Sequence, residues 1–209
     1  MALIKSISGI RGTIGGVPDE NLTPIDAVKF AAAYGFWLKN HVHKTRIKVV
    51  VGRDARLSGE MVQNLVQYTL IGLGIDVVDL GLSTTPTVEV AVTMEQADGG
   101  IILTASHNPK EWNALKLLNN QGEFLNAQEG EEILRIAADN SAVFAEVDAL
   151  GTLSHNDTYI QRHIDAALSL LPLATIEAIR QRHFRVVVDA VNSTGGIAIP
   201  QLLERLGAE

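Results

Sequence analysis

Runs of apolar residues alternate with longer segments of mixed polarity along the chain. Short runs rich in valine, isoleucine and leucine, ended by glycine or a turn, are typical of buried strands, and the longer amphipathic segments predict helices. The predicted strands are residues 47–51, 75–80, 100–104 and 184–188. The predicted helices are residues 25–38, 58–73, 87–94, 129–138, 157–171 and 197–206, of which the acidic helix at 129–138 is expected to be exposed. Residues 114–118 and 123–125 are predicted to form a hairpin.

Alternation of strands and helices predicts the fold class. It favours an α/β protein, with a three-layer α/β/α domain built on a mainly parallel mixed sheet. Residues 140–156 lack a strong period, so we place a domain boundary near residue 150. The first domain is then residues 1–150, and residues 151–209 begin a second, similar α/β domain. A single predicted strand, residues 184–188, cannot form a sheet, so the second unit is expected to be truncated.

Polar residues follow two of the predicted strands. Gly52-Arg53-Asp54 follows the strand at 47–51, and Ser106-His107-Asn108 follows the strand at 100–104. Because α/β sheets bind ligands outside the carboxyl ends of their strands, we expect these residues to meet at one edge. The glycine-rich loop around Arg11 is expected to reach the same place.

Composition and charge argue against several classes of protein and partner. Of 209 residues, 46% are hydrophobic and 20% charged, as in ordinary globular proteins. The net charge of −7 argues against nucleic acid and anionic membranes as partners. There is no cysteine, which excludes disulfides and thiolate zinc sites. The sequence has neither a signal-peptide pattern nor a membrane-spanning apolar run, so a cytoplasmic protein is expected.

Positive charge is concentrated near the N-terminus. Residues 1–60 hold nine lysines and arginines and five acidic residues. Arg11 lies among glycines, whose backbone N–H groups, together with an arginine fork, suit a phosphate. Arg53 and Arg56 flank Asp54 and fit either a phosphate site or a salt-bridged turn. Neither a P-loop nor a G-x-G-x-x-G pattern is present, so the sequence carries no nucleotide fingerprint.

Ser106 is the candidate nucleophile. The following Asn108-Pro109 favours a tight turn that exposes the serine at a strand end. His107 is its neighbour in sequence, which argues against a Ser–His catalytic pair. The local pattern alone fits a nucleophile and an ordinary polar turn alike.

Six blocks of sequence, taken together, resemble the α-D-phosphohexomutases, which include phosphoglucomutase, phosphomannomutase and phosphoglucosamine mutase. The string Thr104-Ala105-Ser106-His107-Asn108-Pro109 is similar to the phosphoserine loop of that superfamily. The other blocks, in chain order, are residues 8–12, residues 52–59, Gly81 with Thr85-Pro86, residues 113–116, and residues 187–189 with Asn192 and Gly195. The blocks occur in the order found in the family, and together they span essentially the whole chain.

The resemblance implies a reaction and a cofactor. Such enzymes interconvert hexose 1-phosphate and hexose 6-phosphate through a phosphoserine, here Ser106, and a bisphosphosugar intermediate. Mg²⁺ binds the phosphoserine, so Ser106 is the metal-binding residue expected in this chain, and glucose 1,6-bisphosphate acts as activator. The expected partner is a small hexose phosphate.

The resemblance also implies roles for five further residues. Arg11 is expected to contact the phosphoryl group, and His107 and Lys116 to transfer protons or stabilise charge. Asn108 and Arg53 are expected to bind phosphate or to shape the loop.

This sequence departs from the family pattern in its second half. The family's Asp-Gly-Asp-x-Asp-Arg metal run is absent, and complete members are more than twice as long. We therefore expect an N-terminal fragment that is inactive alone. The lead-in Ser8-Gly9-Ile10 favours phosphoglucomutase/phosphomannomutase activity; phosphoglucosamine mutase and a non-catalytic, sugar-phosphate-binding or phosphoserine regulatory member stay open. The sequence does not indicate an oligomeric state.

Overall fold

The structure, a computed structural model, describes residues 3–6 and 9–209. The strands are β1 (Leu3–Ser6), β2 (Gly9–Thr13), β3 (Ile47–Arg53), β4 (Ile75–Leu82), β5 (Gly99–Leu103), β6 (Trp112–Leu118) and β7 (Leu153–His155). The helices are α1 (Pro24–His41), α2 (Gly59–Gly72), α3 (Thr85–Met94), α4 (Ala127–Asp139), α5 (Tyr159–Ser169), α6 (Leu173–Gln181) and α7 (Gly195–Arg205).

Within the described residues, the seven strands join one mixed sheet in the order β1-β2-β6-β5-β3-β4-β7. The strands β5, β3, β4 and β7 run parallel to one another. The pairs β1–β2, β2–β6 and β6–β5 are antiparallel. The predicted α/β fold with a mixed sheet is therefore confirmed, although within the described residues the parallel pairings equal the antiparallel ones instead of outnumbering them.

Helices cover both faces of the sheet. On one face, α1, α2 and α4 pack on a core that includes Phe30, Val66 and Leu115. On the other face, α3 and α5 contribute Val88 and Tyr159 to a smaller core. Side chains alternate between the faces along each strand, and this alternation decides which strand residues reach the site described below.

The first helix begins where its capping residues predict. The Thr23 side chain accepts from the backbone N–H of Asp26, and the Asp26 carboxylate accepts from the backbone N–H of Thr23 at 3.0 Å. Pro24 occupies the first turn, where its missing N–H costs nothing. This reciprocal capping fixes the start of α1.

Three short strands were not predicted from the hydrophobic pattern. β1 and β2 occupy the expected N-terminal loop, and β2 is stabilised by pairing with β6 rather than by a strong pattern of its own. β7 begins beyond residue 150 and pairs with β4, so the first sheet continues past that position. α6 is a further helix, and it begins directly after Pro172.

The predicted strand at 184–188 is wrong. These residues form no strand, and Val187 is 99% exposed. The backbone groups of Phe184 and Val186 bond only to Glu209, with N···O distances of 2.9 and 2.7 Å. A strand needs a neighbour for its N–H and C=O groups, and no strand in the described part of the chain lies beside this segment.

Two further predictions are corrected in detail. The hairpin at 114–118 and 123–125 is reduced to β6 and a single bridge between Leu118 and Phe124. The helix α4 is not simply exposed, because its residues Ile133 and Ile136 are buried in the core.

Candidate active site

The carboxyl ends of β3 and β5 lie at the same edge of the sheet. Arg53 is in register with Leu103, the last residue of β5. The antiparallel strand β6 begins at Trp112, opposite Thr13 at the end of β2. The loop 104–111 between β5 and β6 therefore lies at this edge, beside Asp54 and the end of β2.

A cavity of 390 Å³ opens at this edge, and five of the six predicted site residues line it. They are Arg11, Ser106, His107, Asn108 and Lys116. The sixth, Arg53, is not among the lining residues. Its Nε donates to Gln63 at 2.6 Å and its Nη1 to the carbonyl of Asp54 at 3.2 Å, so its guanidinium is engaged within the fold.

Sheet register brings Arg11 and Lys116 to the same side of the cavity. Arg11 pairs directly with Ala114 across β2 and β6, and Ala114 and Lys116 share a face because they are two residues apart. Gly9 precedes this pair with φ +130°, and a Cβ there would collide with the carbonyl oxygen of Leu115. Glycine thus allows β2 to lie close enough to β6 for both cations to line one cavity.

Lys116 lies between an aromatic ring and a carboxyl group. Its Nζ is 5.8 Å from the centroid of the Phe124 ring. Burial raises the pKa of the nearby Glu89 carboxyl on α3, and the positive charge of Lys116 opposes that rise. An aromatic ring and a carboxyl group therefore lie near Lys116, which lines the cavity.

Ser106 is exposed at the tip of a tight turn. Its φ of +55° lies in the left-handed region, which is unusual for a residue other than glycine. The backbone N–H of Asn108 donates to the carbonyl of Ala105 at 3.1 Å, which closes the turn. Below it, the N–H of Ser106 donates to the Thr104 hydroxyl at 3.0 Å, and that hydroxyl donates to Asp54 at 2.6 Å.

Arg56 also contacts this loop, a role that sequence reasoning missed. It forms a salt bridge of 3.1 Å with Asp54 and donates to carbonyl groups of the serine loop. Of the two alternatives left open for this arginine, the salt-bridged turn is the one observed. The spacing Asp54-x-Arg56 just before a helix is a signal from which the salt bridge could have been predicted.

A second cavity, of 600 Å³, lies on the other side of Ser106. It is lined by Asp54, Lys110 and the segment 191–193, among others. The Ser193 hydroxyl accepts from the backbone N–H of Ala55 at 3.4 Å. Ser106 therefore stands between two open spaces, one bounded by β2 and β6 and one bounded by the 191–193 segment.

The described residues do not by themselves fit a magnesium ion. Among residues 3–6 and 9–209 no group of three or more histidine, aspartate or glutamate side chains is placed to hold a metal. Asp54, the carboxylate beside the serine loop, is already bonded to Arg56 and Thr104. No chemical step is therefore assigned to a metal held by these side chains.

Within the part of the chain that the structure describes, no helix is both long and apolar enough to cross a bilayer.

At the carboxyl edge of this α/β sheet an exposed serine thus lines one cavity together with two cationic side chains, Arg11 and Lys116. The family profile described as phosphoglucomutase/phosphomannomutase, alpha/beta/alpha domain I, matches residues 4–143. The chain belongs to the phosphoglucomutase/phosphomannomutase family, as the sequence blocks predicted.

Individual relatives agree with this assignment. The chain is 36% identical over 200 residues to a phosphoglucomutase/phosphomannomutase of Thermococcus kodakarensis, covering 95% of this chain and 43% of that protein. It is 30% identical over 211 residues to a phosphoglucosamine/phosphogalactosamine mutase of Sulfurisphaera tokodaii, covering 100% of this chain and 44% of that protein. The chain thus spans less than half the length of these curated relatives.

Solved structures show the same fold. A putative phosphomannomutase from Thermus thermophilus matches with a TM-score of 0.80 and 26% identity, over 100% of this chain and 45% of that one. A phosphoglucomutase/phosphomannomutase family protein from Burkholderia thailandensis matches with a TM-score of 0.79 and 24% identity, over 99% of this chain and 42% of that one.

Proposed function

We propose that this chain carries the phosphoserine of a phosphohexomutase, which moves a phosphoryl group between the 1- and 6-positions of a hexose phosphate. The observation that carries the proposal is the 390 Å³ cavity in which Ser106 meets Arg11 and Lys116. Family membership supports the proposed class of reaction. The lining of the cavity supports the proposed assignment of Ser106, Arg11 and Lys116 to the site.

The charges in the cavity suit phosphoryl transfer. That reaction depends mainly on positioning and on fixed positive charge around the transferring oxygens. Within residues 3–6 and 9–209, the Arg11 guanidinium has no hydrogen-bond or ion-pair partner, so its planar fork can bind two phosphate oxygens. Lys116 adds a point charge on the same face.

Ser106 gives and takes the phosphoryl group in this proposal. The bond from phosphorus to the serine oxygen breaks while a bond to a sugar hydroxyl oxygen forms, giving a bisphosphosugar. The hydroxyl proton passes to a base, for which His107 or an uncharged Lys116 is the proposed group, and the departing serine oxygen takes up a proton in turn. Transfer of the other phosphate back to Ser106 completes the interconversion, and glucose 1,6-bisphosphate is the proposed source of the first phosphate.

Asn108 and Arg53 support the loop in this scheme. Asn108 closes the turn through its backbone N–H, and Arg53 bonds to the Asp54 carbonyl below it. A Mg²⁺ ion on the serine phosphate would neutralise charge there, and Ser106 would contact that ion through its phosphate, since the described side chains form no metal site of their own.

The proposed substrate class is a hexose phosphate. The relatives named as phosphoglucomutase/phosphomannomutase support glucose and mannose phosphates. The relatives named as phosphoglucosamine mutases favour an amino sugar phosphate as a second candidate. Ser8, which pointed towards the first group, lies outside the described residues.

A coupled assay tests the proposal on the protein at the full length that its gene encodes. We expect conversion of glucose 1-phosphate, mannose 1-phosphate or glucosamine 1-phosphate to the matching 6-phosphate, lost in Ser106→Ala. Ser141→Ala, a change at an exposed loop serine, serves as the matched control and is expected to leave the rate unchanged. Sugar-phosphate binding without turnover would instead identify a non-catalytic member of the family.

A further inference from the structure

The guanidinium of Arg56 is fully occupied by the serine loop and its anchor. Nε donates to Asp54 at 3.1 Å. Nη1 donates to the carbonyls of Pro109 and Trp112 at 2.8 and 2.9 Å. Nη2 donates to the carbonyls of Ser106 and Asn108 at 2.7 and 2.8 Å. These bonds use all five N–H groups that an arginine side chain possesses.

This saturation separates Arg56 from a phosphate-binding arginine. Its side chain is 11% exposed, and no N–H group is left for a ligand oxygen while the loop keeps this conformation. A lysine has three donors on one atom and cannot reproduce the planar five-donor pattern. The side chain is therefore built to bind backbone rather than substrate.

The four carbonyl groups belong to the loop that presents the nucleophile. They lie between Ser106 and Trp112, so one side chain binds the loop from its tip to the start of β6. Asp54 links this arrangement to the sheet, because its N–H donates to the Leu103 carbonyl at 3.0 Å and its carboxylate accepts from Thr104.

The backbone conformation of Ser106 requires stabilisation that these hydrogen bonds provide. A left-handed φ at a residue with a side chain is unfavourable and persists only where the surroundings impose it. Arg56 binds the Ser106 carbonyl, and Thr104 binds the Ser106 N–H. The peptide groups on both sides of the strained residue are thus held.

We propose that Arg56 is a positioning residue, which holds the loop 104–112 in the conformation that presents the Ser106 hydroxyl to the cavity. Its effect on catalysis rests on the proposed function, whereas its effect on the loop does not. It acts through the backbone and makes no contact with the sugar phosphate.

The test compares Arg56→Lys with Arg46→Lys in the full-length protein. Arg46 is the matched control, because its Nε and Nη2 also donate to an aspartate, Asp76, at 3.0 and 2.6 Å. This pair lies at the opposite edge of the sheet, before the start of β3. Amide hydrogen exchange of residues 104–112 is measured without sugar. We expect exchange in the loop to rise about tenfold or more in Arg56→Lys, since charged hydrogen bonds are lost, and to stay unchanged in Arg46→Lys.

Kinetics provide the second readout. We expect kcat of Arg56→Lys to fall about tenfold or more while KM for the hexose phosphate changes less than about threefold, because ground-state binding is not touched. Unchanged loop exchange, or a raised KM with normal kcat, would overturn the proposal. If the wild-type protein neither turns over nor accepts phosphate on Ser106, the proposed function fails, and the exchange experiment still decides the role of Arg56.

A measurement on the wild-type protein covers the case in which Arg56→Lys does not fold. Nitrogen-15 NMR of the arginine side chains should show separate, slowly exchanging Nη signals for Arg56 and averaged signals for Arg11. Averaged Nη signals for Arg56 would contradict the bonding on which the proposal stands.

Discussion

Three arginines lie at the carboxyl edge of the sheet, and their partners give them different roles. Arg53 bonds within the fold, Arg56 binds the serine loop, and Arg11 leaves its guanidinium unpaired within the described residues. The sequence identified Arg11 and the serine loop through glycine and turn residues. It did not show which of Arg53 and Arg56 binds the serine loop. Arg53 is the last residue of β3 and Arg56 lies three residues beyond it, so the contact with the loop depends on where the strand ends.

Gly9 offers a test of the close approach between β2 and β6. Gly9→Ala is expected to lower the free energy of unfolding by about 3 kcal/mol, because φ +130° is strained for alanine and the new Cβ meets the Leu115 carbonyl. Gly81→Ala is the control, since Gly81 has φ +62° and open space around it. Gly81→Ala is expected to lower the free energy of unfolding by about 1 kcal/mol. Denaturant unfolding measures both, and equal costs would show that the collision is not what matters.

Among the helices and strands, contacts between elements determined which strands form where the local hydrophobic pattern did not predict them. The helix α1 is predictable because Thr23, Pro24 and Asp26 specify its start locally. The strands β2 and β7 are short and depend on neighbours that are distant in the sequence, β6 and β4. The segment 184–188 has a strand-like composition, but none of the strands in the described residues lies beside it, so its apolar residues stay exposed. Strand formation is thus a property of a pair and cannot be assigned from one run alone.

The contact between α3 and α5 predicts a pH dependence of stability. Burial lowers the pKa of the His163 imidazole, whose Nδ1 lies 3.1 Å from the Thr87 hydroxyl. The unfolded chain therefore binds more protons near this pKa, so the contribution of His163 to stability is present above the unfolded pKa and is lost as the pH falls.

We expect the free energy of unfolding to fall between about pH 7.5 and about pH 5.5, and His163→Gln to remove part of that fall. The comparison variant is His43→Gln, at an exposed histidine in the loop after α1. Denaturant titrations at several pH values provide the measurement. A pH dependence that is the same in wild type and His163→Gln would refute the prediction.

In the whole molecule, one sheet positions the serine loop, Arg11 and Lys116 at a single edge. β2, β3, β5 and β6 meet there, and the family profile ends at residue 143, within the part that this sheet organises. The chain spans less than half of its curated relatives. Its last third includes Phe184, Val187 and Val191 as exposed apolar side chains. Such clustered exposure favours association with another surface.

Self-association of the 209-residue chain tests that expectation. Val187→Lys is expected to reduce concentration-dependent association, because it places a charge in the middle of the exposed apolar segment. Val17→Lys is the matched control at an exposed valine outside that segment. Sedimentation velocity over a range of concentrations measures the effect. Equal association of the two variants and the wild type would show that the segment does not drive it.

Ser106 is proposed to carry a phosphoryl group. The most direct measurement is mass spectrometry of the full-length protein after incubation with glucose 1,6-bisphosphate. One phosphate is expected, located on Ser106 by peptide fragmentation, present equally in Ser141→Ala and absent from Ser106→Ala. A wild-type protein that gains no phosphate, or that gains it on another residue, would contradict the account.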